Sequence, residues 1–214
     1  MNINGKRWRT IWLEPNGNSI GVIDQRKLPH KLTSQIIYNH EEAALAIQSM
    51  IIRGAPLIGV TGAYGLMLAL QKDASNESLE KAYSKLLSTR PTAVNLSWAL
   101  SRVSKQVKPL PQEQRAEAAK KEAQAIAEED VLMCETIGEY GLQVLRKILS
   151  CKSFKEQKKP LNILTHCNAG WLGTVDWGTA LAPIYKAHRA GMKIHVWVDE
   201  TRPRNQGASL TSYE

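Results

Sequence analysis

Two β-prone stretches lie one helical span apart near the end of the chain, and that spacing constrains the fold more than any other feature. The apolar run Asn162-Ile163-Leu164 is followed by Thr165-His166-Cys167-Asn168-Ala169-Gly170. After it, residues 177–190 carry apolar side chains at Trp177, Ala180, Leu181, Ile184 and Ala187, a helical period closed by Gly191. Lys193-Ile194-His195-Val196-Trp197-Val198 then reads as a second strand. Strand, helix and strand in so short a span predict a parallel βαβ unit with a right-handed crossover. Pro183 falls inside the helical pattern, which predicts a kink there.

In open α/β sheets, ligands bind outside the carboxyl ends of the strands, where this topology puts Cys167. The same topology aims the thiol at the amino end of the following helix, whose free amides and dipole favour an anion and draw a thiol pKa toward neutrality. The alternative reading is a small buried residue that only packs. Asp199-Glu200-Thr201-Arg202-Pro203-Arg204-Asn205-Gln206-Gly207-Ala208 leaves the neighbouring strand on the same side, so its polar groups are expected in the same crevice. His166 and His195 are weaker candidates, each beside or within an apolar strand.

Two further loops carry an arginine next to a proline. In Arg53-Gly54-Ala55-Pro56, small residues and a proline open a helix, leaving outward-facing amides beside a two-pronged donor, a combination suited to phosphate. An ordinary helix start with a nearby arginine explains the same residues. The segment is no Walker loop, because Gly59-Val60-Thr61 lacks the required lysine. Gly59, Gly62 and Gly65 recur on one helix face and predict close approach of a neighbour. Thr89-Arg90-Pro91-Thr92-Ala93-Val94-Asn95-Leu96 repeats the theme, with Thr92 and Asn95 available to cap a helix and a solvent-exposed Arg90 as the plainer alternative.

Elsewhere the pattern is mostly helical. Residues 9–13 and 19–24 flank an Asn-Gly turn, a hairpin signal. Helices are expected over 40–53, 56–72, 78–88, 95–107 and 111–149, the last rich in strong formers, with Gly138 and Gly141 as candidate break points. This divides the chain into a helical amino-terminal domain with a small sheet (1–110), a long connecting helix (111–150) and an α/β segment (151–214).

Charge and cysteine content narrow the function classes. The net charge is +8, but four lysines, Lys152, Lys155, Lys158 and Lys159, cluster in one linker-like stretch, and no aromatic-basic stacking motif accompanies them. Nucleic acid is therefore not the expected partner; a small anionic substrate steered by a few cations is. Cys134, Cys151 and Cys167 have neither disulfide-framework nor metal-ligand spacing, which implies a reducing, cytoplasmic setting without a metal. Residues 1–10 lack a signal-peptide core, and the longest apolar stretch, 57–70, falls short of the roughly 18 residues of a membrane span.

Taken in order, the four loops resemble those of methylthioribose-1-phosphate isomerases, a family that includes ribose-1,5-bisphosphate isomerase and the regulatory subunits of the exchange factor for translation initiation factor two. The resemblance spans nearly the whole chain. It implies an α/β protein, with a helical amino-terminal domain bearing a small antiparallel sheet, then a partial Rossmann-like parallel-sheet domain, and a homodimer of full-length subunits. It also implies conversion of 5-methylthioribose 1-phosphate to 5-methylthioribulose 1-phosphate in methionine salvage, without a redox cofactor or metal. By motif, Arg53, Gly54, Ala55, Arg90 and Gln206 would hold the phosphate and sugar hydroxyls. Cys167 would be the reactive thiol. The family's proton donor is an aspartate in a Gly-Ala-Asp motif that this sequence does not contain. A two-stranded parallel sheet with no later elements would also expose apolar faces and edges. The expectation is thus a shortened form of a longer protein, inactive alone, which a native mass of 23.8 kDa would contradict. A ribose 1,5-bisphosphate isomerase and a non-catalytic binding subunit are the alternatives.

Overall fold

The computed structural model describes residues 1–3 and 5–214. It opens with a two-residue ribbon, β1 (Asn2–Ile3) against β2 (Lys6–Arg7). The Asn-Gly hairpin follows: β3 (Ile11–Leu13) pairs antiparallel with β4 (Ile20–Ile23), and β4 pairs on its other edge with β5 (Ser34–Ile37). All four β4 residues are buried, as the central strand of a covered three-stranded sheet requires.

Five helices follow: α1 (His40–Gln48), α2 (Ala55–Lys72), α3 (Asn76–Leu87), α4 (Val94–Val107) and α5 (Gln112–Ser150). Helix α1 is shorter than its expected span, because Met50 turns the chain through a left-handed φ of 59°. Helix α2 is apolar on every face and buried from Leu57 through Leu70, sheathed by α1, α3, α4 and α5. Each large side chain enclosed there, such as Leu57, Leu66, Met67 or Leu70, contributes about 1.5–3 kcal/mol of burial. The three glycines act as expected: a Cβ on Gly59 would stand 2.8 Å from the Asn95 carbonyl, and Gly62 and Gly65 make room for Leu96 and Leu86.

Helix α5 runs unbroken through Gly138 and Gly141, against expectation. These glycines accommodate a neighbour: a Cβ at Gly138 would press on Ala182, and one at Gly141 would overlap the Pro183 ring. A single turn, α6 (Phe154–Gln157), with a Ser153–Glu156 capping box precedes β6 (Leu161–Thr165). Strand β6 pairs in parallel with β7 (Ile194–Val198), Leu161 opposite Ile194 through Thr165 opposite Val198. Leu164 and Trp197 on this sheet are 67% and 57% exposed.

The crossover helix corrects a third expectation. Helix α7 spans Ala182–Arg189, so Pro183 sits in its first turn and produces no kink. Residues 177–181 form an irregular turn instead, entered through left-handed Trp177 (φ 68°). No described helix is long and apolar enough to cross a membrane.

Candidate anion site at the end of the first parallel strand

Arg53 occupies the turn between α1 and α2, with only 7% of its surface exposed. Its guanidinium is forked between two acceptors. Nη1 donates to Gln206 Oε1 at 3.1 Å, and Nη2 donates to Asn168 Oδ1. The third group, Nε, is buried and has no partner among the described residues. Burial lowers the guanidinium pKa from its ordinary value, opposed by the charges of Glu214 and Cys167. A buried cation with an unused donor is a costly arrangement that an incoming anion relieves.

Helix α2 begins beside it without a side-chain cap. Gly54 adopts φ 95° and ψ 133°, a conformation reserved for glycine, and a Cβ there would run into the backbone of Gly173. Gly54 and Ala55 thus bring the uncapped start of α2 up to the loop that follows Cys167.

Cys167 is exposed and left-handed, with φ 65°. Its carbonyl accepts a 3.0 Å bond from the Thr211 hydroxyl. The amides expected to be free at the start of the following helix are in part taken: Thr179 and Leu181 donate to the Ala169 carbonyl, and Ala182 donates to that of Thr179. These groups are consumed in closing the turn that precedes α7. His166 is exposed, 3.6 Å from Asp199, and His195 packs edge-on against Trp197.

Gln206 reaches Arg53 because Glu200 folds its loop back, accepting from the amides of Gly207 at 2.7 Å and Ala208 at 3.1 Å. A π-helical turn over Gly207–Thr211 follows. Arg90 is exposed on the loop before α4, and its side chain has no hydrogen bond to this cluster among the described residues. The first turns of α4 come near the start of α2, since Val94, Asn95 and Trp98 line a cleft of about 340 Å³ together with Pro56 and Gly59 of α2 and Asp130 of α5. Neither Thr92 nor Asn95 caps α4; its cap residue is Ala93, whose carbonyl takes the first helical amides. No group of three or more His, Cys, Asp or Glu able to hold a metal occurs among the described residues.

No sequence pattern marks Asn168, Tyr185, Thr211 or Glu214 as a site residue, although their hydrogen bonds link them to Arg53 and to the Cys167 backbone. Asn168 lay inside a motif singled out for its thiol. The other three are remote in sequence and carry no local signature.

The fold and site together define an α/β protein with an enclosed arginine and an exposed thiol converging at a parallel strand end. The model of the initiation factor 2 subunit family matches residues 51–214, and the chain belongs to that family. It is 53% identical to the methylthioribose-1-phosphate isomerase of Rhodospirillum rubrum over 215 residues, all of this chain and 55% of that protein. The Escherichia coli enzyme of the same name is 54% identical over 218 residues, covering all of this chain and 57% of its own length. The chain thus spans little more than half the length of these relatives. The crystal structure of 5-methylthioribose 1-phosphate isomerase from Pyrococcus horikoshii superposes with a TM-score of 0.82 at 38% identity, over 98% of this chain and 57% of that one. Subunit delta of translation initiation factor eIF-2B from A. fulgidus gives 0.81 at 39% identity, over 97% and 58%.

Proposed function

We propose that this chain forms the phosphate- and thiol-bearing part of an aldose–ketose isomerase acting on 5-methylthioribose 1-phosphate in methionine salvage. The observation that carries the reading is Arg53, buried, forked by Asn168 and Gln206, left with an Nε that has no partner among the described residues, and close enough to Cys167 to feel its charge. The substrate phosphate takes that N–H and the uncapped amides at Gly54 and Ala55, with its charge on the dipole of α2. Gln206 and Arg90 bind the remaining phosphate oxygens and sugar hydroxyls.

Because the anomeric oxygen carries the phosphate, no free aldehyde is available, and the ring must open during the reaction. The C1–ring oxygen bond breaks and the ring oxygen gains a proton. Hydrogen moves from C2 to C1, and the C2 hydroxyl loses its proton as the carbonyl forms. Composition is unchanged, so in this reading the reaction consumes no external oxidant or reductant. Cys167 acts at C1 and C2, where charge develops, held there by its left-handed backbone and the Thr211 bond. The whole protein is, on this reading, a cytoplasmic homodimer that takes a small sugar phosphate and binds neither nucleic acid nor membrane.

The test is ketose formation by the whole protein from 5-methylthioribose 1-phosphate and from ribose 1,5-bisphosphate. The first substrate is expected to be preferred, and Cys167→Ser to lose about 100-fold or more in turnover. Unchanged turnover in that variant would remove the thiol from the mechanism. The likeness to a translation-factor subunit supports one rival, a binding protein without chemistry, and tight sugar-phosphate binding with no turnover of either compound would favour it.

A further inference from the structure

The enclosed carboxylate behind the arginine has no part in the chemistry above. Glu214 Oε1 accepts from Asn168 Nδ2 at 2.9 Å and from the Leu172 amide at 3.4 Å, and Oε2 accepts from the Tyr185 hydroxyl at 2.6 Å. Space for it comes from Gly170, where a Cβ would coincide with the carboxylate. Both hydrogens of the Asn168 amide are committed, one to Glu214 and one to Thr211 Oγ1 at 3.1 Å. The Asn168 oxygen is therefore left facing Arg53 Nη2.

We propose that Glu214 is a positioning residue for the anion site: it fixes the orientation of the Asn168 amide, and that amide aims the Arg53 fork so that Nε stays free for phosphate. The inference rests on Arg53 being the phosphate ligand proposed above. Without a firm acceptor at Glu214, the Asn168 amide can rotate by half a turn and present its hydrogens to the guanidinium, donor against donor. The fork then loses one of its two supports. Thr211 belongs to the same relay, because its hydroxyl accepts from Asn168 and donates to the Cys167 carbonyl, tying the thiol's backbone to the arginine's aim.

The experiment is a double-mutant cycle on phosphate affinity in the whole protein, with inorganic phosphate and 5-methylthioribose 1-phosphate as separate probes in calorimetry. Glu214→Met keeps the length of the side chain but removes both acceptor oxygens, and is expected to weaken both ligands about tenfold. In an Arg53→Lys background, the same change is expected to shift affinity less than twofold, because its route to the ligand is gone. Equal losses in both backgrounds mean general structural damage and overturn the proposal, as does an unchanged affinity in the single variant. If Glu214→Met does not fold, Thr211→Val provides the same cycle, with a severalfold loss expected only while Arg53 is present. A wild-type protein that binds inorganic phosphate through this relay but not the sugar phosphate refutes the substrate reading and supports the positioning role. Binding of neither probe overturns both.

Discussion

Gly54 joins the fold to the site, so Gly54→Ala tests both. Its φ of 95° and ψ of 133° lie where a side chain costs about 1–3 kcal/mol. The added methyl would also meet the Cα and carbonyl of Gly173, backbone atoms that cannot swing aside, and such overpacking costs about 1–3 kcal/mol more. The sum is about 4 kcal/mol, which lowers Tm by about 8–16 °C for a chain of this size. Gly191 supplies the control. It too has positive φ, 74°, but a Cβ there meets nothing within 4 Å. Gly191→Ala therefore pays the conformational cost alone, about 1–2 kcal/mol. Calorimetric or dichroism melts of both variants are expected to show the larger shift at Gly54, by about the overpacking cost. Equal shifts would refute the close approach of Gly54 to Gly173, and with it the proposed cradle between α2 and the Cys167 loop.

Other outcomes follow from single residues. Buried Arg115 donates to the carbonyls of Leu110, Ala74 and Lys108 and to Asn76 Oδ1, so Arg115→Met should cost about 3–5 kcal/mol in urea unfolding, and Arg115→Lys should recover little of it. Burial holds the Glu214 carboxyl above its ordinary value of 4.5 despite its hydrogen bonds and the nearby Arg53 charge. Folding then favours its protonated form, stability from this group falls as pH rises from about that ordinary value through the raised one, and Glu214→Gln should gain stability over wild type across that window in melts from pH 4 to 8. A variant that loses stability as pH rises there would reverse the sign. Alkylation of native protein should modify exposed Cys151 and Cys167 but spare Cys134, which is buried and whose thiol is pushed up to about 12 by burial and Asp130. Added 5-methylthioribose 1-phosphate should protect Cys167 alone, as read by peptide mass spectrometry.

Local signals located most elements. Alternation around an Asn-Gly turn marked β3 and β4, and apolar content with three in-line glycines marked α2 and its close neighbours. The errors fell where tertiary contact overrides propensity. Gly138 and Gly141 looked like breaks because a sequence does not show Ala182 and Pro183 arriving on that face. The α7 period reached back to Trp177 because apolar residues in a buried turn mimic a helical stripe. Within the site, Arg53, Cys167 and Gln206 were legible from loops with unusual composition. The carboxylate behind them was not, since Glu214 joins Asn168 across 46 positions of chain, and nothing local distinguishes it from a surface glutamate.

The most direct test of the phosphate site compares the Kd for 5-methylthioribose 1-phosphate with that for unphosphorylated 5-methylthioribose, in wild type and in Arg53→Lys. The account predicts that the phosphate strengthens wild-type binding by about 100-fold or more, through charge-assisted bonds to a buried guanidinium and a helix start, and that most of this advantage disappears in the variant. Equal affinity for the two sugars in wild type, or an advantage that survives loss of the arginine, would contradict it.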